Sequence, residues 1–126
     1  DGWAERRGIA MALEECANTG KLEGDLSELF KFLQFEGIAD RDDLVRSAML
    51  KAGVSLIKNY GQDGRFLTKC EHAISTTPEK DINEFKYDLR KQGNVVLLGA
   101  AAAHLDPENP KVVSVAQSLC KALTIP

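Results

Sequence analysis

No run in these 126 residues approaches the roughly 20 apolar residues that a membrane span requires. The longest weakly polar stretch, NVVLLGAAAAHL from Asn94, stops well short. Aromatics make up only 6% of the chain, so the core must be built from small and aliphatic side chains. Such side chains suit helices that approach closely. Cysteine is scarce and scattered: Cys16, Cys70 and Cys120 are far apart, no CxxC occurs, and an odd number cannot all pair. That excludes a zinc knuckle and a thioredoxin-type motif. All three fall on apolar helical faces and are expected as small core residues in a reducing compartment. An excess of basic charge is missing too. Lys and Arg total 16 against 19 Asp and Glu, a formal net charge of −3, so the broad cationic field of a general nucleic-acid binder is excluded.

The chemistry-bearing patterns are equally thin. VVLLGAAAAHLD suggests a strand entering a phosphate-binding helix, but the fingerprint needs three glycines and only Gly99 is present. Gly99 and the four alanines after it are expected to let a neighbouring helix pack closely. Cys70 and His72 are two residues apart, a spacing that sends them to different faces of a helix. His104 stands near a helix end, with no second histidine close by. The acidic pairs Glu14–Glu15, Asp42–Asp43 and Glu79 with Asp81 sit where caps and dipole partners belong. No enzyme activity, metal, cofactor or small-molecule substrate is expected.

What the chain does have is helical periodicity. A first helix is expected over about residues 3–18, with Ile9, Leu13, Cys16 and Ala17 on one face. Asp25, with Glu28 three residues later, forms a capping-box pattern for a second helix, whose stripe is Leu26, Leu29, Phe30 and Leu33 and which ends at Gly37. Asp42 or Asp43 caps the third, where Val45, Ala48, Met49, Ala52, Leu56, Ile57 and Tyr60 make one broad buried stripe up to Gly61. A fourth runs from about Gly64 to Ser75, with Phe66, Leu67, Cys70, Ala73 and Ile74 inward. Pro78 breaks the polar connection TTPEKD. A fifth extends from Asp81 or Ile82 to Leu105, and the turn DPENP leads into a sixth near Pro110. Val112, Val113, Ala116, Leu119, Cys120 and Leu123 are expected to face inward there. No sustained period-two alternation occurs, and the single DG, at Asp63-Gly64, is flanked by helical patterns. The chain reads as all-α, six helices in three antiparallel pairs.

The pairs repeat. ERRGIAMALEECANTG, LVRSAMLKAGVSLIKNYG and LRKQGNVVLLGAAAAHLD each carry a basic residue, then small and aliphatic residues, then Gly, Asn or Asp. Aligning Arg7, Arg46 and Lys91 gives spacings of about 39 and about 45 residues. Self-similarity at roughly 40–47 residues marks a HEAT or armadillo α-solenoid, here with repeats over about 1–38, 39–76 and 77–126. A solenoid works by presenting surface, so binding is the default function. The chain begins at Asp1 without Met and stops at Pro126 after a helical pattern, so it is expected to be part of a much longer solenoid, with targeting information outside it.

The segment ADRDDLVRSAML resembles the HEAT pattern of a turn Asp, then Val-Arg, then a small residue. That resemblance implies a ladder between neighbouring repeats, with Asp40 and Arg46 in its places, Arg7 in the first repeat and Lys91 in the third. The whole chain goes further. RDDLVRSAML, the KNYG ending and the Gly-Ala run closed by HLDPENPKV resemble, in that order, the general control nonderepressible one family, just before its elongation-factor-three-like region. The resemblance implies a cytoplasmic, non-catalytic scaffold that binds ribosomes. It further implies activation of the starvation-responsive kinase that phosphorylates initiation factor two, and an ABC-type ATPase partner, both through regions elsewhere. The alternative is a HEAT adaptor in another large complex, such as a transport receptor or proteasome-associated scaffold.

Among the charges, Lys31, Arg65, Lys69, Lys111 and Lys121 lie off the apolar stripes of the second helices of each pair. They form either a phosphate-facing rim or an ordinary solvated face. A first test falls on the clearest stripe. Ala52→Trp should overpack it and cost roughly 1–3 kcal/mol. An unchanged melting temperature would place the stripe on the wrong face.

Overall fold

The computed structural model describes residues 1–76 and 82–123, and among them every regular element is helical. The helices are α1 (Trp3–Asn18), α2 (Ser27–Phe35), α3 (Asp43–Tyr60), α4 (Leu67–Ser75), α5 (Glu84–Ala103) and α6 (Val112–Leu123), with a single 3-10 turn at Gly37–Ala39 between α2 and α3. The expected breaker at Pro78, the pair Glu79–Asp81 and the inward side chain of Leu123 lie outside the residues and side chains described. No helix among the described residues is long and apolar enough to cross a membrane.

Local chemistry accounts for most boundaries. Asp42 caps α3, accepting from the Leu44 and Val45 N–H groups at 2.9 and 3.1 Å, and so satisfies donors that have no partner inside the helix. Asn83 caps α5 through the Lys86 N–H at 2.8 Å. At the second helix the expected capping box does not form. Asp25 accepts from Ser27 N–H at 2.9 Å, one residue too early to be the cap, and the residue before the helix is Leu26, which has no capping side chain. The fourth helix starts at Leu67 rather than Gly64 because Gly64 adopts φ +82°, which belongs to a turn. The sixth starts at Val112, after the Asp106–Lys111 turn.

The helices pack as two connected layers. Backbone contacts run from α1 to α3 and from α3 to α5. Bonds at both ends of these helices show that they run parallel. At their starts, Arg6 on α1 reaches Asp40 just before α3, and Arg90 on α5 reaches Phe35 and Glu36. At their ends, Asn59 on α3 donates to Asn18 at 3.0 Å, and the Asp106 N–H after α5 donates to Gln62 O at 3.3 Å. Parallel consecutive helices need a returning helix between them, which α2 and α4 supply. Those two meet where the Phe30 and Phe66 rings stack at 4.4 Å.

The buried core is continuous. It takes Phe30 and Leu33 from α2, Val45, Met49, Ala52, Leu56 and Ile57 from α3, Leu67 and Cys70 from α4, and Leu97 and Leu98 from α5. The stripe expected on α3 is the buried one. Two others shift. On α1 the buried positions are Ala10 and Ala17, and Ile9 is exposed. On α6 it is Val115 that is buried, while Val112 and Val113 are exposed and Cys120 is a surface thiol. Both helices stand at the ends of the stack, so each is covered along one narrow row. A broad apolar surface does not say which row that is. Cys16 is half-buried, and only Cys70 is the fully buried thiol expected.

The close helix approach expected at Gly99 occurs elsewhere. A Cβ at Gly99 would meet nothing within 4 Å. At Gly53 it would stand 2.8 Å from Leu97 Cδ2, and at Gly93 it would run into the Ile38 side chain, 3.0 Å from its Cβ. The contrast gives a paired prediction. Helix propensity favours alanine over glycine by about 0.8–1.0 kcal/mol. Gly99→Ala should therefore stabilise the chain by up to that amount. Gly93→Ala should destabilise it by about 1–3 kcal/mol, because the clash outweighs propensity. Equal shifts in denaturant midpoint for both would contradict the packing described.

Candidate functional site

The polar ties between helices concentrate on the connection after α2. Arg6 grips the Asp40 carboxylate at two points, Nε to Oδ2 at 2.8 Å and Nη2 to Oδ1 at 3.0 Å. Arg46 Nη1 donates to the Asp40 backbone carbonyl at 2.7 Å, and the Asp42 N–H to Oδ1 at 3.0 Å. The Asp40 side chain is only 13% exposed. The bond from Arg6 holds its carboxyl below the ordinary value, against the opposing effect of burial. A few ångströms along the chain, Arg90 Nε donates to Phe35 O at 2.6 Å and Nη2 to Glu36 Oε1 at 3.2 Å, with its guanidinium 5.5 Å from the Phe35 ring. Lys86 Nζ adds a bond to Glu36 Oε2 at 3.0 Å.

These bonds use other residues than Arg7 and Lys91, the ones expected at the two ends. Of the expected ladder residues, Arg46 and Asp40 are bonded to each other. Arg7 is exposed, and Arg6 makes the bond to Asp40. Lys91 lies over its own helix neighbour Tyr87 at 5.9 Å, and Arg90 makes the reach across. Both differences arise inside a dibasic pair. Adjacent helical residues point about 100° apart, so only one of the two can face a neighbour. The deciding signal lies four residues on: Arg6 precedes buried Ala10, and Arg90 precedes buried Asn94.

The five candidate contact residues divide between two places. Arg65 is exposed just before α4 and pairs with Asp63 at 3.4 Å. Lys69 is half-buried on α4. Lys111 is brought close to this turn: its Cδ lies 4.0 Å from the Cβ position of Gly64. Two carboxylates accompany them. Asp63 is held in its charged form mainly by the Arg65 N–H, and Asp25 mainly by Ser27, with Lys69 and Arg65 adding to it. Lys31 is elsewhere, on an open groove of about 460 Å³ beside Phe32, Phe35, Thr76 and Arg90. Lys121 is exposed on α6.

A larger groove, about 660 Å³, opens between α1, the Gly37–Ala39 turn and the start of α5. Three apolar side chains from three helices stand around it: Ile9 at 57% exposed, Phe32 at 44% and Phe85 at 60%. Sequence reasoning missed it, because its walls come from positions about 23 and 53 residues apart. Its lining suits protein side chains more than phosphate, since Arg6 and Lys86 are already spent on Asp40 and Glu36. Among the described residues no His, Cys, Asp and Glu group could hold a metal ion. Burial pushes the Cys70 thiol up to about 12, which keeps it neutral and unreactive at ordinary pH.

Parallel first helices, returning second helices and turn-borne Arg–Asp ties define a HEAT-type helical repeat protein. Comparison with known proteins narrows the class. The family described as stalled ribosome sensor GCN1, HEAT repeats, matches residues 1–103, from α1 to the last residue of α5. The chain is 34% identical to Protein ILITYHIA of Arabidopsis thaliana over 99% of its length, and 31% identical to the human stalled ribosome sensor GCN1 over all of it. It is 28% identical to the Saccharomyces cerevisiae eIF-2-alpha kinase activator GCN1, again over its whole length. This chain belongs to the GCN1 HEAT-repeat family. It spans about 5% of each of these relatives. No solved structure matches it.

The ladder makes a direct prediction. Arg6→Ala should lower the thermal midpoint clearly more than Arg7→Ala. The Asp40 carboxyl is depressed in the folded state, so its contribution is present above the ordinary value of 3.8 and is lost as pH falls through the lower folded value. Midpoints measured from neutral pH into that acid range should therefore converge for wild type and Arg6→Ala. A constant gap would place the effect of Arg6 in packing rather than in the ion pair.

Proposed function

We propose that this chain is a non-catalytic scaffold segment of a cytoplasmic, ribosome-associated translational activator, which promotes activation of the kinase acting on eIF-2-alpha during amino-acid starvation. The observation that carries the reading is the family match over five of the six helices, joined to alignment of the whole chain with named ribosome sensors and kinase activators. The interior of the described residues supports it: apolar side chains fill it, and the polar groups there tie helices together. The kinase and an ABC-type ATPase are engaged through other regions of such a protein, and the segment's own part is to hold repeats in place and present surface.

The ribosome contact on this segment is the basic group at the α3–α4 and α5–α6 turns, Arg65, Lys69 and Lys111, extended by Lys121 and, on its separate groove, Lys31. Support comes from the Gly64 turn, where the Lys111 stem lies against Gly64, the residue before Arg65. Asp25 and Asp63 offset part of this charge. The group should therefore neutralise only about one to three phosphates, with a correspondingly shallow salt dependence. Reversing Arg65, Lys69, Lys111 and Lys121 to Glu in the full-length protein should weaken co-sedimentation with ribosomes and leave helicity intact. Reversing Lys51 and Lys58, exposed on α3, should do much less. Equal losses would show that only net charge matters, and no loss from either set would make the segment a spacer.

A further inference from the structure

A buried amide clasp joins the first helical pair to the third. Gln34, on the last turn of α2, donates from Nε2 to the Asn94 side-chain oxygen at 2.9 Å and to the Lys69 carbonyl at 3.0 Å. Asn94, in the middle of α5, donates from Nδ2 to the Gln34 carbonyl at 3.0 Å and to the Arg90 carbonyl at 2.8 Å. Both side chains are buried, Gln34 to 2% exposure and Asn94 to 1%. The four bonds involve α2, α4 and α5 at once. Next to them, Gly93 lies against Ile38, and Arg90 and Lys86 reach Phe35 O and Glu36 from the solvent side.

An ordinary helical-repeat stack is held by contacts between neighbours, so each unit opens in response to the next. Here α5 is bonded directly to α2 across the second pair. A buried amide that loses its partner carries an unmet desolvation cost, so the two sides of the clasp cannot part cheaply one at a time. We infer that the Gln34–Asn94 clasp makes α2, α4 and α5 open as one cooperative block, placing any bend of a longer solenoid outside these three helices. The block is a conformational device: a stiff segment that fixes the angle between the repeats on either side of it.

Amide hydrogen exchange on the 126-residue chain tests this without any mutation. In the wild type, the slowest amides of α2 and α5 should share one opening equilibrium and the same denaturant dependence. If α2 opens at least about tenfold more often than α5, the inference is overturned. Asn94→Leu and, separately, Gln34→Met keep the volume; the first removes the three bonds that Asn94 makes, and the second the two that the Gln34 side chain donates. Each should separate the two helices, with α2 protection falling at least about tenfold relative to α3. Retention of joint opening in a folded variant would show that apolar packing, not the clasp, couples them. If Asn94→Leu does not fold, Gln34→Met and the wild-type measurement still decide the matter.

Discussion

Everything in this chain is arranged around how closely α5 approaches the turn between α2 and α3. Residue 93 has no room for a Cβ because Ile38 occupies that space, and Gly53 gives way in the same manner to Leu97. Once α5 is seated at that distance, Arg90 falls within reach of Phe35 and Glu36, Asn94 meets Gln34, and Leu97 enters the core. One missing methyl group thus sets the register of a whole helix. The burial behind it is large: Phe30, Phe66, Leu56, Ile57, Leu97 and Leu98 are all fully enclosed, and each is worth about 1.5–3 kcal/mol. The exposed ion pairs on the rim contribute far less.

The fold was legible in the sequence wherever a helix is covered on a wide face. The stripe of α3 from Val45 to Ile57 is such a case, and so is its Asp42 cap. Legibility failed at the ends of the stack. Ile9, Val112 and Val113 are apolar and correctly spaced for burial, but α1 and α6 are each packed on one side only. Period and composition report that a face is apolar, not whether anything covers it. The ladder was half-legible for a similar reason. Its turn Asp and the Arg on α3 were readable, and the choice within Arg6–Arg7 and Arg90–Lys91 depended on helix phase. The groove walled by Ile9, Phe32 and Phe85 had no local signal at all.

The cations of this acidic chain fall into two groups. Arg6, Lys86 and Arg90 are occupied with joining helices, and Arg46 with the turn before its own helix. The turns that carry Arg65 and Lys111 are stacked through the Asp106–Gln62 bond and the tight passage at Gly64. The charges that join helices and the candidate contact charges are different residues, although Lys31 shares a groove with Arg90. Substituting one group leaves the other in place.

The two ends of the parallel helices are fastened by different chemistry. Where α1, α3 and α5 begin, the fasteners are charged: Arg6 with Asp40, and Lys86 and Arg90 with Glu36. Where they finish, the fasteners are neutral: Asn59 with Asn18, the Tyr60 hydroxyl with the Leu22 N–H, and Asp106 N–H with Gln62 O. Dissolved ions weaken charge pairs, the half-exposed Glu36 pairs more than the partly buried Arg6–Asp40 pair, and leave neutral hydrogen bonds nearly untouched. Ionic strength therefore loosens one margin of the sheet of helices and spares the other. As with two bonded metals that expand unequally, a uniform change in the medium becomes a directed tendency to curl.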